Sequence, residues 1–342
     1  MKTGSLSARK QRHDFPEEID MKISILDGFM LRHGDVSFQP VEALGECSYY
    51  DSTDYGNLEE IVRHIGEAEA VLINKVPMTE EVFSHCPQLK FVCETATGFN
   101  NIDLEAASRH GVVVSNVPSY GTGTVAQFAM ALLLEICNGV GHHAAEVAKG
   151  RWCQSQYNCF WDFANMELEG KTAGIIGAGR IGMAFARMAY GFGMKILAYH
   201  PRKIGEKFEY GSYVSIKELL GTSDVVTLHC PLTEETEKMI NRDTLAMMKK
   251  GSILLNTGRG QLVDEAALAD ALNSGHLRAA GLDVVSHEPI LADNPLLNAK
   301  NCIITPHMAW CATEARQRLM DVCVENLKAY MAGSPINVVC HS

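Results

Sequence analysis

Apolar residues come in short blocks along this chain, separated by longer stretches in which they recur every third or fourth position. In the first third the blocks fall at 23–26, 70–73, 91–93 and 112–114. A second set falls at 172–176, 196–199, 225–229, 253–256, 280–284 and 303–305. An unbroken apolar block marks a strand buried on both faces. Helical stretches between such strands make a parallel sheet with helices on both sides, which places the chain in the α/β class. Two sets in series predict two Rossmann-like, doubly wound parallel-sheet domains with an active-site cleft between them, in preference to one very large sheet.

Two helical stretches refine this outline. Over 122–140, Val125, Phe128, Ala129, Leu132, Leu133 and Ile136 recur at helical spacing, with Ala126, Met130 and Ala131 on the rest of the surface. A helix apolar almost all round is expected to be buried on every side. The amphipathic stretch 313–331 has no strand of its own to cover, so it is expected to return to the first domain. The domains then read as a polar leader or extension at 1–20, a flavodoxin-like substrate (catalytic) domain at 21–119 plus 306–342, and a dinucleotide-binding domain at 120–305.

Composition narrows the partners. With 342 residues, 46% hydrophobic and 21% charged, the chain is an ordinary globular protein long enough for two cores. A net charge of −11 argues against nucleic acid, which needs a basic face. No apolar run approaches the ~20 residues of a membrane helix; the longest, 126–137, contains Gln127 and Glu135 and reads as a buried helix. Eleven cysteines without a C-x-x-C pair, and no secretory segment, suggest reduced thiols and a cytoplasmic protein. His142 and His143 are the only adjacent histidine pair. No carboxylate spacing around them suggests zinc, so no metal is expected.

The chemistry begins at GAGRIG, residues 177–182, between the apolar block TAGII and a helical stretch. Gly177 permits a tight turn, Gly179 lets the backbone approach a pyrophosphate, and Gly182 lets helix and strand pack closely. The pyrophosphate would take the N–H groups of Arg180 and Ile181 at the helix N-terminus. About twenty residues on, where an acid usually binds the ribose hydroxyls of NAD, the sequence ILAYHPRK has His200, followed by Arg202 and Lys203. A neutral or cationic surround suits a 2′-phosphate, so NADP(H) is expected to be tolerated or preferred, with NAD(H) left open.

Three polar residues follow later strands, at the carboxyl ends where doubly wound sheets bind ligands. Arg259 lies in LLNTGRGQLVDE, Glu288 in GLDVVSHEP and His307 in IITPHMAW. Together they supply what carbonyl reduction needs: a fixed cation, an orienting acid and a proton donor. With TATGFNNID, NVPSYGTGTVAQF and LHCPLTEET in the same order, the chain resembles the D-isomer-specific 2-hydroxyacid dehydrogenases over about residues 21–339. Within that family it is most similar to the glycerate dehydrogenase (hydroxypyruvate reductase) group.

The resemblance implies that Arg259 binds the 2-oxo acid and polarises its carbonyl, that His307 donates the proton and that Glu288 bonds the other ring nitrogen. It also implies that the backbone at Thr97 and Gly98 holds the substrate carboxylate with Asn74 and Lys75 nearby. Thr124, Cys230, Thr257 and Asp283 would line the cofactor, and residues 122–165 would form a homodimer interface. The implied reaction is the NAD(P)H-dependent reduction of hydroxypyruvate or glyoxylate to the D-2-hydroxy acid, and its reverse. D-Lactate, 3-phosphoglycerate, phosphonate and formate remain alternatives on the same scaffold, although TATGFNNID carries no extra cation for a phosphorylated substrate. Outside enzymes, the alternative is a corepressor-like nucleotide-sensing scaffold, against which the lack of a long disordered tail speaks.

Overall fold

Each predicted apolar block overlaps a strand in the computed structural model, which describes residues 21–31 and 34–340. The leader at 1–20 lies outside the described residues. The chain divides into two compact units, one formed by Met1–Tyr120 with Arg316–Ser342 and the other by Gly121–Ala315.

The first unit contains β1 (Met21–Ile25), β2 (Gly45–Tyr49), β3 (Ala70–Ile73), β4 (Phe91–Glu94) and β5 (Val113–Ser115). A C-terminal strand, Val338–Cys340, runs antiparallel to β5 and completes a sheet that is otherwise parallel. Its order is C-terminal strand, β5, β4, β3, β1, β2. Strand residues alternate between two cores, as the period of two requires. Val71, Ile73 and Val92 face one that includes Ile61 and Phe83, while Ala70, Leu72 and Phe91 face the other. That second core takes Leu319, Met320, Cys323 and Leu327 from the helix Thr313–Met331, all fully buried. The helix therefore joins the first unit from Arg316 onward because its apolar face supplies half of a core.

The second unit contains β6 (Thr172–Ile176), β7 (Lys195–Tyr199), β8 (Lys207–Phe208), β9 (Gly211–Tyr213), β10 (Val225–Leu228), β11 (Ile253–Asn256), β12 (Ala279–Leu282) and β13 (Cys302–Ile304). Their order is β13, β12, β11, β10, β6, β7, β9, β8, parallel except for the β8–β9 pair. From β6 the chain continues to β7 on one side and returns to β10 on the other, so the switch point, where doubly wound sheets bind ligands, lies between β6 and β10. In the first unit the corresponding point lies between β1 and β3.

Two expectations need correction. The second unit extends to Ala315, ten residues past the expected end at 305, because the N–H groups of His307, Met308 and Ala309 all bond to Asp283 behind β12. The helix expected over 122–140 ends at Asn138, where Gly139 turns left-handed (φ 57°) and a second helix, Val140–Ala148, begins. Neither helix is buried on every side. Gln127, Ala131 and Asn138 of the first face outward, and the second has no buried residue, since one layer of sheet can cover only one face of a helix. Among the described residues no single helix is long and apolar enough to cross a membrane. This bent pair, turned by 60°, passes that test only when joined, and the first helix is a core element of its own unit.

Candidate active site

The glycines of the 177–182 loop have separate physical reasons. Gly177 has φ 97°, and a Cβ there would lie 2.3 Å from the backbone N of Cys230. At Gly182 a Cβ would lie 2.2 Å from the Gly177 carbonyl. Both are therefore required by the protein's own packing, Gly177 across the β6–β10 switch point and Gly182 within the loop itself. Gly179 differs. A Cβ there would meet no protein atom within 4 Å, and its φ of −83° suits any residue. Its lack of a side chain keeps open the space that a pyrophosphate would take at the start of the helix Arg180–Gly191. At the end of β11, the buried Thr257 Oγ1 has no hydrogen-bond partner in the protein, an orphan that a ligand hydroxyl or amide would satisfy. The residues present thus fit a dinucleotide.

The other residues expected around it lie in the same unit. Thr124 is in the first turn of the helix Thr122–Asn138. Cys230 follows β10, and burial pushes its thiol up to about 11, which makes it a packing group of little reactivity. His200 follows β7, and its Nδ1 accepts the backbone N–H of Arg202 at 3.2 Å. A neutral His200 therefore carries its hydrogen on Nε2, as a donor. Arg202 is exposed, while the Lys203 ammonium lies over the Tyr213 ring at 5.4 Å.

His307 and Glu288 come together. His307 Nδ1 donates to Glu288 Oε2 at 2.6 Å, which leaves Nε2 for a substrate. The His307 backbone is left-handed (φ 51°), a conformation that costs a non-glycine residue of order 1 kcal/mol and must be held from outside. It is held firmly. His307 N donates to Asp283 O at 2.8 Å, and Trp310 Nε1 donates to His307 O at 2.9 Å. Asp283 Oδ1 accepts from Thr305 Oγ1 (2.7 Å) and Met308 N (2.9 Å), and Oδ2 from Ala309 N (2.7 Å). Burial raises the Asp283 pKa while these donors work in the opposite direction. Its carboxylate thus serves as the tether of the histidine loop.

Arg259 sits just after β11, where Gly260 allows close backbone approach; a Cβ there would be 1.9 Å from the Val285 carbonyl carbon. Arg259 Nη1 donates to Gly258 O at 2.9 Å, and Asn256 Nδ2 holds the Arg259 carbonyl at 2.8 Å. Sequence reasoning missed Glu265, whose two oxygens take Ser286 N and Oγ, each at 2.7 Å, and Asn294 Nδ2 at 2.9 Å, fixing the loop that carries Glu288. The signal was present as an acid next to the Asp264 helix cap, but its partners are more than twenty residues away.

In the first unit, the carbonyls of Thr95, Ala96 and Thr97 are taken by Asn74 Nδ2, Val117 N and Asn116 Nδ2 respectively. The N–H groups of Thr97 and Gly98 have no acceptor among the described residues. A loop with its carbonyls turned inward and its N–H groups outward is a receptor for an anion. Asp27, also missed, orders the neighbouring segment by accepting the N–H groups of Asn74 (2.8 Å), Lys75 (2.8 Å) and Val76 (3.2 Å). Elsewhere, His142, His143 and Asp162 approach a common point, but both Asp162 oxygens are already taken by Arg151, and one also by His142.

A phosphate cradle at the switch point and a carboxylate-backed histidine after the edge strand β13 of the same sheet define a dinucleotide-dependent dehydrogenase. Residues 130–309 match the model of the D-isomer specific 2-hydroxyacid dehydrogenase NAD binding domain. The chain is 52% identical over 320 residues to a hydroxypyruvate reductase of Blautia hydrogenotrophica, covering 93% of this chain and 99% of that one. It is 40% identical over 296 residues to a glycerate dehydrogenase of Methylorubrum extorquens, covering 86% and 92%. Among solved structures, the TT0316 protein of Thermus thermophilus superposes with a TM-score of 0.82 at 34% identity, over 93% of this chain and all of that one. The protein belongs to the D-isomer-specific 2-hydroxyacid dehydrogenase family, and its cofactor is a nicotinamide dinucleotide.

Proposed function

We propose that this enzyme reduces a small 2-oxo acid, hydroxypyruvate or glyoxylate, to the D-2-hydroxy acid, and catalyses the reverse. The observation that carries the proposal is the 2.6 Å bond between His307 and Glu288, which leaves Nε2 of a fixed imidazole to give or take a proton. When bound, the nicotinamide supplies or accepts the hydride. Arg259, with guanidinium N–H groups to spare, clamps and polarises the 2-oxo group. His307 then protonates the carbonyl oxygen, and Glu288 stabilises the imidazolium and fixes the ring. The N–H groups of Thr97 and Gly98, with Asn74 and Lys75, hold the substrate carboxylate. Relatives named hydroxypyruvate reductase and glycerate dehydrogenase support this choice of substrate.

For the cofactor, the Nε2–H of His200 and the exposed Arg202 favour acceptance of NADPH beside NADH. A cytoplasmic homodimer formed through residues 122–165 completes the proposal, supported by the exposed aromatics of that segment. The test is a steady-state comparison of hydroxypyruvate, glyoxylate, pyruvate and phosphohydroxypyruvate with each nicotinamide. Hydroxypyruvate and glyoxylate should lead in kcat/KM, and His307→Ala and Arg259→Ala should each lose about 10²–10⁴-fold in kcat. Turnover of none of these acids, or full activity in His307→Ala, would refute the assignment.

A further inference from the structure

A carboxyl group at the carboxyl end of β4 has no part in this mechanism. Glu94 is fully buried, paired in register with Ile73 and preceded by the apolar Phe91, Val92 and Cys93. Its Oε2 accepts from Asn101 Nδ2 at 3.0 Å, while Oε1, also buried, has no partner. Leaving such an atom unbonded costs about 1–3 kcal/mol, so its retention calls for a reason.

The charged and titratable groups that act on it come from several neighbouring elements, the two cysteines from the opposite face of the sheet. They are Asp27 after β1, Tyr55, Lys75 after β3, Cys93 on its own strand and Cys323 from the C-terminal helix. Of the two acids, Asp27 is well compensated by three backbone N–H groups and the Tyr55 hydroxyl at 3.0 Å. Glu94 has one amide. Lys75, the single cation among these groups, is exposed to solvent. Burial accordingly pushes the Glu94 carboxyl well above the usual carboxylate range, which favours its uncharged form.

The next residues in the chain are the loop that presents the Thr97 and Gly98 N–H groups. A charge on Glu94, itself fully buried and three residues before Thr97, would act on an anion in that loop with little water around the carboxylate to screen it. We propose that Glu94 is a positioning residue that must stay uncharged for the 95–98 loop to hold an organic carboxylate, so that loss of its proton weakens substrate binding and spares the chemical step. The proposal rests on the assignment of this loop to the substrate carboxylate.

The test compares the pH dependence of KM and kcat for hydroxypyruvate in wild type and Glu94→Gln, which keeps the bond from Asn101 and cannot ionise. The two proteins differ only at residue 94, so the difference between their profiles isolates Glu94. In wild type KM should rise about tenfold more on the alkaline side than in the variant, equivalent to one pKa unit of interaction, with matching kcat profiles. Superimposable KM profiles, or a difference confined to kcat, would overturn the proposal. If Glu94→Gln fails to fold, infrared spectra of the wild type decide. A protonated-carboxyl band at neutral pH that vanishes where KM rises supports it, and its absence at neutral pH overturns it. Lys75→Ala separates the two levels. An unchanged KM in that variant refutes the loop assignment itself, whereas a raised KM alongside superimposable Glu94→Gln profiles refutes only the role of Glu94.

Discussion

His229 lies half-buried beside the phosphate loop, with Nε2 2.9 Å from Thr227 Oγ1 and its ring against Phe185 of the following helix. Burial lowers its pKa from 6.5 to about 4. A histidine with a depressed pKa is protonated in the unfolded chain before the folded one, so its contribution is intact above pH 6.5 and stability falls as pH drops from there toward 4. Across that interval the loss is about 3 kcal/mol. Urea midpoints for wild type and His229→Gln at both ends should show a smaller acid loss in the variant; parallel losses would contradict this account. Residues of this kind mark the limit of what a sequence shows. Arg259, Glu288 and His307 could be picked out because each stands directly after an apolar block. Asp27 and Glu94 also follow apolar blocks, but their roles, like that of Glu265, could not be read, because their partners are groups brought close only by the fold.

At the scale of elements, the strands legible in the sequence were those with an uninterrupted apolar block, most of them buried in the sheet interior, together with the half-exposed edge strand β13. β2, β8 and β9 escaped notice because they lie at or next to a sheet edge and carry half-exposed, mixed residues such as GECSY, and the C-terminal strand because its apolar run is only three residues long. The helix break at Gly139 was also invisible, since the apolar pattern continues across it. The phosphate loop offers a direct test of what its glycines do. Gly179→Ala should leave the melting temperature within about 1 °C of wild type yet weaken NADH binding at least tenfold, because only the ligand needs that space. Gly177→Ala should destabilise the fold by roughly 2 kcal/mol or more, given its φ and the 2.3 Å approach to Cys230. Calorimetry with and without NADH distinguishes the two. Equal destabilisation by both would show that Gly179 is structural after all.

For the whole molecule, the segment after the helix break bears on assembly. Asp162 ties this segment to the helix Val140–Ala148 through His142 and Arg151, and leaves Tyr157 77% and Trp161 69% exposed. Single aromatics on a surface are ordinary, but several on one strap beside an unburied helix suit a two-fold contact with a second copy. Light scattering at micromolar concentration should give a dimer for wild type and a monomer for the double change Tyr157→Asp and Trp161→Asp. A wild-type monomer would rule the contact out.

The division of the first unit between the two ends of the chain has a consequence for biosynthesis. A ribosome delivers β1 to β5 first and then all of residues 121–315, which can fold as soon as they emerge. Only afterwards come Leu319, Met320, Cys323 and Leu327, which cover Leu72, Phe91 and their neighbours. Throughout that interval the nascent chain displays the open face of a parallel sheet, a surface that chaperones bind and that aggregates readily. The strands synthesised first are the last to be covered.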